Sequence, residues 1–389
     1  MKQLVVIFTL WLAWMPVGAQ KMLTLEECLK LGIENNLSLE GSRNEMRKAK
    51  HLLSENRAKL WPQISAVAGF NDNFNPPVSV TDGSAYGNLY NVTKTLQYNA
   101  SAGLQLQMPL YNQTVYTAVD IARTLNELNR LSYEKAREDL MMQISKMYYL
   151  GQNTMEQLTL IQENMVRLRE LRDITLAFFD NGMAMEVDVK RVNINLENQQ
   201  VQYDNAKSML VQQLNLLKYV MDYPAEEEIT LTPVDTERMQ SASLTGLRGD
   251  LYELQLLQSQ EKLAGQQKDL IRQGYLPSLT LTGSWMYSAY TDKARHWFHS
   301  GPSNHWYPST GLGITLRVPI FDGFDKRARI RKAQIDQENA RLNYENTLKQ
   351  MQTQYLNATN ELMNNQRNFK KQKDNYLLAE DVYQVTTDR

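Results

Sequence analysis

The chain has 389 residues, 42% of them hydrophobic and 22% charged, with a formal net charge of −1 at pH 7. That balance supplies no basic surplus of the kind that holds nucleic acid. A single cysteine, Cys28, excludes an internal disulfide, and with four histidines in all an active site would be hard to build.

Lys2, the apolar run from Leu4 to Trp14, Pro16 and the small residues Val17, Gly18 and Ala19 read as a cleaved signal peptide over 1–19, so the mature protein is expected to begin near Gln20 and to be exported. The apolar run is shorter than the ~20 residues a spanning helix needs. The stretch Leu25-Glu26-Glu27-Cys28 is no lipobox, so no lipid anchor is expected at Cys28. An exported chain without a spanning helix is periplasmic, secreted or a membrane barrel.

Beyond Gln20 the chain repeats one plan. Pro62 and Pro277 lie 215 residues apart, in Trp61-Pro62-Gln63-Ile64 and Leu276-Pro277-Ser278-Leu279. Pro109 and Pro319 lie 210 apart, in Met108-Pro109-Leu110-Tyr111 and Val318-Pro319-Ile320-Phe321. A duplicated unit fixes the architecture: a first repeat over 20–222 (helix, strand, strand, long helix, helix), a linker over 223–244, and a second repeat over 245–389 that lacks the last helix.

Each repeat contributes two alternating strands. Ile64, Ala66, Ala68 and Phe70 oppose Gln63, Ser65, Val67 and Gly69; Ala100, Ala102, Leu104 and Leu106 oppose Asn99, Ser101, Gly103, Gln105 and Gln107. In the second repeat Leu279, Leu281, Gly283 and Trp285 oppose Thr280, Thr282 and Ser284, and Leu312, Ile314, Leu316 and Val318 oppose Gly311, Gly313, Thr315 and Arg317. A soluble sandwich alternates too. Runs of about 9 to 11 residues and a polar set nearly free of charge favour a tilted membrane strand with a wet lumen, lined by Gln105, Gln107, Thr315 and Arg317. Trp61, Tyr111, Phe321, Trp285 and Tyr287 are read at strand ends, where an interfacial aromatic belt would lie. Pro62, Pro109, Pro277 and Pro319 are read as breaks between strand and helix, since proline donates no ladder bond and biases its predecessor away from helix. The stretches 72–96 and 287–308 are read as long external loops.

Gln113 to Asn181 contains no proline and only Gly151, a continuous helix of roughly 100 Å at 1.5 Å per residue. Leu158, Ile161, Met165 and Leu168, then Leu210, Leu214, Leu217 and Met221, keep coiled-coil steps. Asp180-Asn181-Gly182 reverses the chain between them, so an antiparallel hairpin is expected. Phe324 to Arg389 has neither Gly nor Pro and reads as a second long helix. In the linker, Ile229-Thr230-Leu231-Thr232-Pro233 reads as a short strand of a belt.

Four strands cannot close a membrane barrel, because an open edge in lipid leaves unpaired backbone groups. Three copies would supply twelve strands around one axis, with the helices continuing the wall.

These motifs together resemble the TolC-like outer-membrane efflux proteins. Residues 24–39, TLEECLKLGIENNLSL, look like that family's opening helix, which usually has Asn-Pro where this chain has Asn35-Asn36. Trp61-Pro62 and Leu276-Pro277 look like its strand starts, Pro109 and Pro319 like its strand exits, and Asn181 to Val192 like its periplasmic turn. The resemblance implies an α+β membrane protein: four transmembrane strands per chain, a 12-stranded barrel as a homotrimer in outer-membrane lipid, and a long helical periplasmic tunnel. It implies an exit duct of a tripartite efflux or type I secretion system, loaded by an inner-membrane pump through a periplasmic adaptor that meets Asp180, Asn181, Gly182 and Asp188. Asp188 would help hold the periplasmic end closed. Under the 210-residue offset Arg389 corresponds to Phe179, so the final helix is expected to be missing, as in a fragment or a truncated reading frame.

His296, His299 and His305 offer a zinc site in principle, but no scaffold fixes their geometry, and an external loop is the expectation. No enzyme activity, cofactor or nucleic-acid partner is expected. The rival readings are a periplasmic or secreted structural coiled-coil protein and a zinc enzyme using those histidines.

Overall fold

A computed structural model describes residues 21–82, 87, 89–234, 251–293 and 305–387. The signal peptide, the linker from 235 onward, His296 and His299 lie outside the described residues.

In chain order the elements are β1 (Lys21–Leu23), α1 (Leu25–Asn35), α2 (Leu37–Ala58), β2 (Gln63–Asp72), β3 (Val78–Asp82), β4 (Tyr90–Lys94), β5 (Tyr98–Tyr111), α3 (Gln113–Asp180), α4 (Glu186–Met221), β6 (Ile229–Leu231), α5 (Tyr252–Gln273), β7 (Ser278–Thr291), β8 (Trp306–Arg317) and α6 (Asp325–Thr387). The proline-free stretches are α3, of 68 residues, and α6, of 63. Two compact units each draw on both repeats. One takes the described parts of Met1–Met46, Asn129–Gln255 and Asn346–Arg389, the other Arg47–Leu128 and Leu256–Glu345.

The first unit is helical and holds the main apolar cluster. Leu140, Ile144 and Tyr148 of α3 meet Leu217, Val220 and Met221 of α4, so the two helices return along each other from the turn at 181–185. The coiled-coil steps point inward: Ile161, Met165, Leu217 and Met221 are all buried. Leu23 of β1 and Cys28 and Leu39 of α1 and α2 close the same cluster.

α1 starts where Thr24 and Glu27 form a capping box: the Glu27 N–H donates to Thr24 Oγ1 at 3.2 Å and the Thr24 N–H to Glu27 Oε2 at 2.9 Å. At its other end the Asn36 side chain joins two helices, donating to the Val220 carbonyl at 2.8 Å and accepting the Leu39 N–H at 2.9 Å. Where the family pattern has Asn-Pro, this asparagine caps α2 by hydrogen bonds instead.

The linker's Ile229–Leu231 does form a strand, β6, which pairs in parallel with β1. Tyr148 and Gln152 of α3 hold that pair. The Tyr148 hydroxyl lies 3.1 Å from the Leu23 carbonyl and 2.6 Å from Thr232 Oγ1, and Gln152 donates to the Thr232 carbonyl at 2.6 Å.

Burial pushes the Cys28 thiol up to about 11, with the nearby Glu27 carboxylate adding to the shift. At pH 8 about a thousandth of such a thiol is ionised, so iodoacetamide is expected to leave the folded protein unmodified and to label it on unfolding. Rapid alkylation of the native chain would show that this cluster is open.

The second unit carries an antiparallel four-stranded sheet, ordered β2-β5-β7-β8. Its strands begin and end differently from the sequence expectation. β5 runs through Pro109 to Tyr111, with a bulge between them. β2 begins at Gln63 opposite Gln107, so beyond Gln107 the proline has no β2 ladder to break. Trp285 and Tyr287 lie within β7 rather than at its end, because that strand continues to Thr291. The 72–96 segment contains a hairpin, β3 with β4.

Candidate functional site

The sheet register sorts residues by chemistry. Cross-strand partners share a face. One continuous row is Ser65, Gln105, Ser284 and Gly311; the next is Gln63, Gln107, Thr282 and Gly313; a third is Val67, Gly103, Met286 and Ser309. Thr315 pairs with Thr280, and Arg317 with Ser278, on the same face. Gln105, Gln107, Thr315 and Arg317 are therefore brought to one wall, and within the rows from Gln63 to Thr315 that wall is uncharged, with Arg317 at its edge.

The opposite face carries Ile64, Ala66 and Phe70, Leu104 and Leu106, Trp285 and Tyr287, Leu312, Ile314 and Leu316. It is not a core. Ile64 is 69% exposed and Leu312 77%, and Phe70, Leu104, Trp285, Ile314 and Leu316 are exposed as well. A soluble sheet turns this face inward; here it is bare.

Glycines set how closely the strands approach on the polar wall. A Cβ on Gly103 would fall on the Trp285 carbonyl oxygen and lie 2.7 Å from Met286 Cα. Gly311 and Gly313 sit under the Ser284 and Thr282 hydroxyls, each 3.3 Å from where a Cβ would be.

The prolines sit at the joints. Pro62 and Pro277 immediately precede β2 and β7, and Pro319 lies two residues past the end of β8. Between Pro319 and α6, Asp322 accepts the N–H groups of Phe324 at 3.1 Å and Lys326 at 3.2 Å, which caps the helix.

In the helical unit, the α3–α4 turn is built by local hydrogen bonds. Gly182 takes φ 72°, and the Gly182 and Met183 N–H groups donate to the Phe179 and Phe178 carbonyls at 2.9 and 2.8 Å. This is a Schellman-type helix end, for which glycine suits the left-handed residue. Asn181 Nδ2 donates to the Ala177 carbonyl at 2.7 Å. Asp180 and Asn181 are exposed, and Met183 and Met185 are exposed beside them. Asp188 acts within its own turn, where its carboxylate accepts the Met185 N–H at 3.2 Å and lies 3.5 Å from Arg191. That serves the first turn of α4, where negative charge is favoured. Asp188→Ala is expected to cost about 1 kcal/mol locally, seen as about fivefold faster hydrogen exchange at 185–189; unchanged exchange would refute the capping role.

His305 stacks on Tyr307 with ring centroids 6.3 Å apart. Among the described residues no group of three His, Cys, Asp or Glu side chains could hold a metal ion.

Comparison with known proteins supplies the family. The family model described as "Outer membrane efflux protein" matches residues 29–221 and 252–389. "Outer membrane protein TolC" of Vibrio cholerae is 23% identical over 325 residues, spanning 80% of this chain and 68% of that one. "Probable efflux pump outer membrane protein TtgC" of Pseudomonas putida is 21% identical over 385 residues, 94% of this chain and 75% of that one. In fold, the chain is similar to the outer membrane protein VceC of Vibrio cholerae (TM-score 0.66, 15% identity, 84% of this chain and 75% of that one). It is likewise similar to the CmeC outer membrane channel of Campylobacter jejuni (TM-score 0.61, 18% identity, 86% and 72%). With the family model covering most of the sequence, and long helices flanking a sheet whose apolar face is bare, this chain belongs to the outer membrane efflux proteins, the TolC-like family of outer-membrane channels.

Proposed function

We propose that the chain is the outer-membrane exit duct of a tripartite efflux or type I secretion system, passing small molecules or proteins passively across periplasm and outer membrane. The observation that carries this is the two-faced sheet: an exposed apolar face suits lipid, and an uncharged polar face suits water. Strands β2 and β8 are its two edges. β2 and β8 run antiparallel to each other, so pairing β8 with β2 of the next copy keeps the ladder antiparallel throughout, and three copies give twelve strands. No described helix is long and apolar enough to cross a membrane, which leaves the sheet to do so.

The repeats 20–222 and 245–389, joined by 223–244, act as two copies of one wall element. Asp180 to Asp188 forms the end that meets a periplasmic adaptor, itself coupled to an inner-membrane pump, and Asp188 contributes to closing it. Pro62, Pro109, Pro277 and Pro319 mark the level at which sheet gives way to helix, and the signal peptide over 1–19 is removed on export. Transport energy comes from the pump, and the chain performs no chemistry of its own.

Density-gradient separation of host envelopes tests this. The chain is expected with the outer membrane, resisting extraction by salt or carbonate. Release by salt alone would favour the structural coiled-coil reading.

A further inference from the structure

The repeats differ in charge where strand passes into long helix. Residues 326–332, at the start of α6, carry Lys326, Arg327, Arg329, Arg331 and Lys332. Shifted by 210, the same positions in α3 hold Tyr116, Thr117, Val119, Ile121 and Ala122. Thr117, Val119 and Ala122 are buried there. The fold therefore builds this joint without cations. A helix N-terminus also disfavours positive charge, so the run works against the stability of α6.

Part of it is answered locally. Lys326 lies 3.2 Å from Asp322 and over the Tyr275 ring, and Arg329 lies 3.6 Å from Asp325. Arg327 and Arg331, one turn apart, have no acidic partner among the described residues. They line a groove of about 330 Å³ with Phe324 and Ala328. Phe324 meets Phe321 edge to face at 5.5 Å, and both rings are exposed. Exposed aromatic rings followed along the chain by guanidinium groups without an acidic partner, directly after an edge strand with a bare apolar face, make the order of groups found where membrane meets water. The other edge strand, β2, is approached through exposed Arg57, Lys59 and Trp61.

Resting on the barrel reading above, we propose that Arg327 and Arg331 bind the phosphate of an anionic phospholipid headgroup in the membrane leaflet facing the helices, with Phe321 and Phe324 against its acyl chains. A guanidinium offers a planar fork that matches phosphate oxygens, and arginines beside a spanning segment attract anionic lipid.

The test uses the full chain, extracted in neutral detergent and titrated with phosphatidylglycerol or phosphatidylcholine, bound lipid being counted by native mass spectrometry. Phosphatidylglycerol is expected to bind at least about tenfold more tightly than phosphatidylcholine, and R327Q/R331Q to weaken only the former, by about thirtyfold. R327K/R331K, which keeps the charge and loses the fork, is expected to bind phosphatidylglycerol more weakly than wild type but more tightly than R327Q/R331Q. If R327Q/R331Q fails to assemble, wild type decides: raising KCl from about 50 mM to about 500 mM must release phosphatidylglycerol and spare phosphatidylcholine.

Equal retention of the two lipids, or wild-type retention by the Gln variant, overturns the proposal. Displacement by inorganic phosphate alone would make the site one for free anions and overturn the lipid assignment. A variant that loses copies but keeps its lipid per copy would assign the arginines to contacts between chains. In each of these cases the wild type still requires detergent. A wild type that needs none would instead sink the barrel reading, and the lipid site with it.

Discussion

Gly103→Val is expected to abolish assembly in the outer membrane. Gly103 sits in β5, which pairs with β2 on one side and β7 on the other. A side chain there meets backbone, the Trp285 carbonyl oxygen and Met286 Cα, and a strand cannot step aside as a rotamer can. Separating β5 from β7 breaks the longest ladder in the sheet, from Tyr98↔Thr291 to Tyr111↔Leu279. Overpacking of this kind costs about 1 to 3 kcal/mol when side chains can yield, and more when only backbone can. Gly69→Val, on the same face of β2, is the control. Its added Cβ would stand 3.5 Å from Ser101 Oγ, an ordinary contact, and assembly is expected to survive. The measurement is the heat-modifiable, SDS-resistant species in outer-membrane extracts. Normal assembly of Gly103→Val would mean that β5 and β7 do not keep this register.

A second large effect is expected in the helical unit. Ile144→Asp puts a carboxylate among Leu23, Leu217, Met221 and Leu231, at a position with 0% exposure. The Tyr148 hydroxyl, in the same cluster, is already engaged with Leu23 and Thr232. An unpaired buried charge costs several kcal/mol, enough to melt this cluster. The chain is expected to be degraded or lost from the membrane, whereas Ile144→Val should cost only about 0.5 to 1.5 kcal/mol and leave the fold intact. Circular dichroism melts of detergent extracts separate the two. A tolerated aspartate would show that the α1, α3, α4 and β1–β6 cluster does not form.

Much of the fold is legible in the sequence because its signals are local. Alternation places Ile64 to Phe70 and Leu312 to Leu316 on one face, and the absence of proline places α3 within a residue of its ends and α6 within a residue of its start. Asp180-Asn181-Gly182 marks the reversal because only glycine takes φ 72° at no cost. What stays hidden depends on partners far along the chain. β1 and β6 have three residues each and pair across roughly 200 positions, and nothing near Lys21 announces Ile229. Tyr148 and Gln152 look like ordinary coiled-coil residues until that pair lies beside them. Pro109 reads as a terminator because proline usually is one, and β5 passes through it where β2, which begins at Gln63 opposite Gln107, offers it no ladder. The β3–β4 hairpin carries alternating Val78, Val80, Tyr90 and Val92, but those strands are five residues each and sit among Gly, Ser and Asn. Asp188 stands out in the sequence only by resemblance, and its capping bond to Met185 supplies a local reason for an acid there.

On the proposed reading, one chain supplies four strands of a barrel that only several copies can close. Its most direct test is the mass of the detergent-extracted assembly from native membranes, measured intact and again after denaturation. Three copies per assembly are expected, and none released without detergent. A monomer that stays in solution in plain buffer would contradict it, and the apolar face of β2, β5, β7 and β8 would then need some other cover.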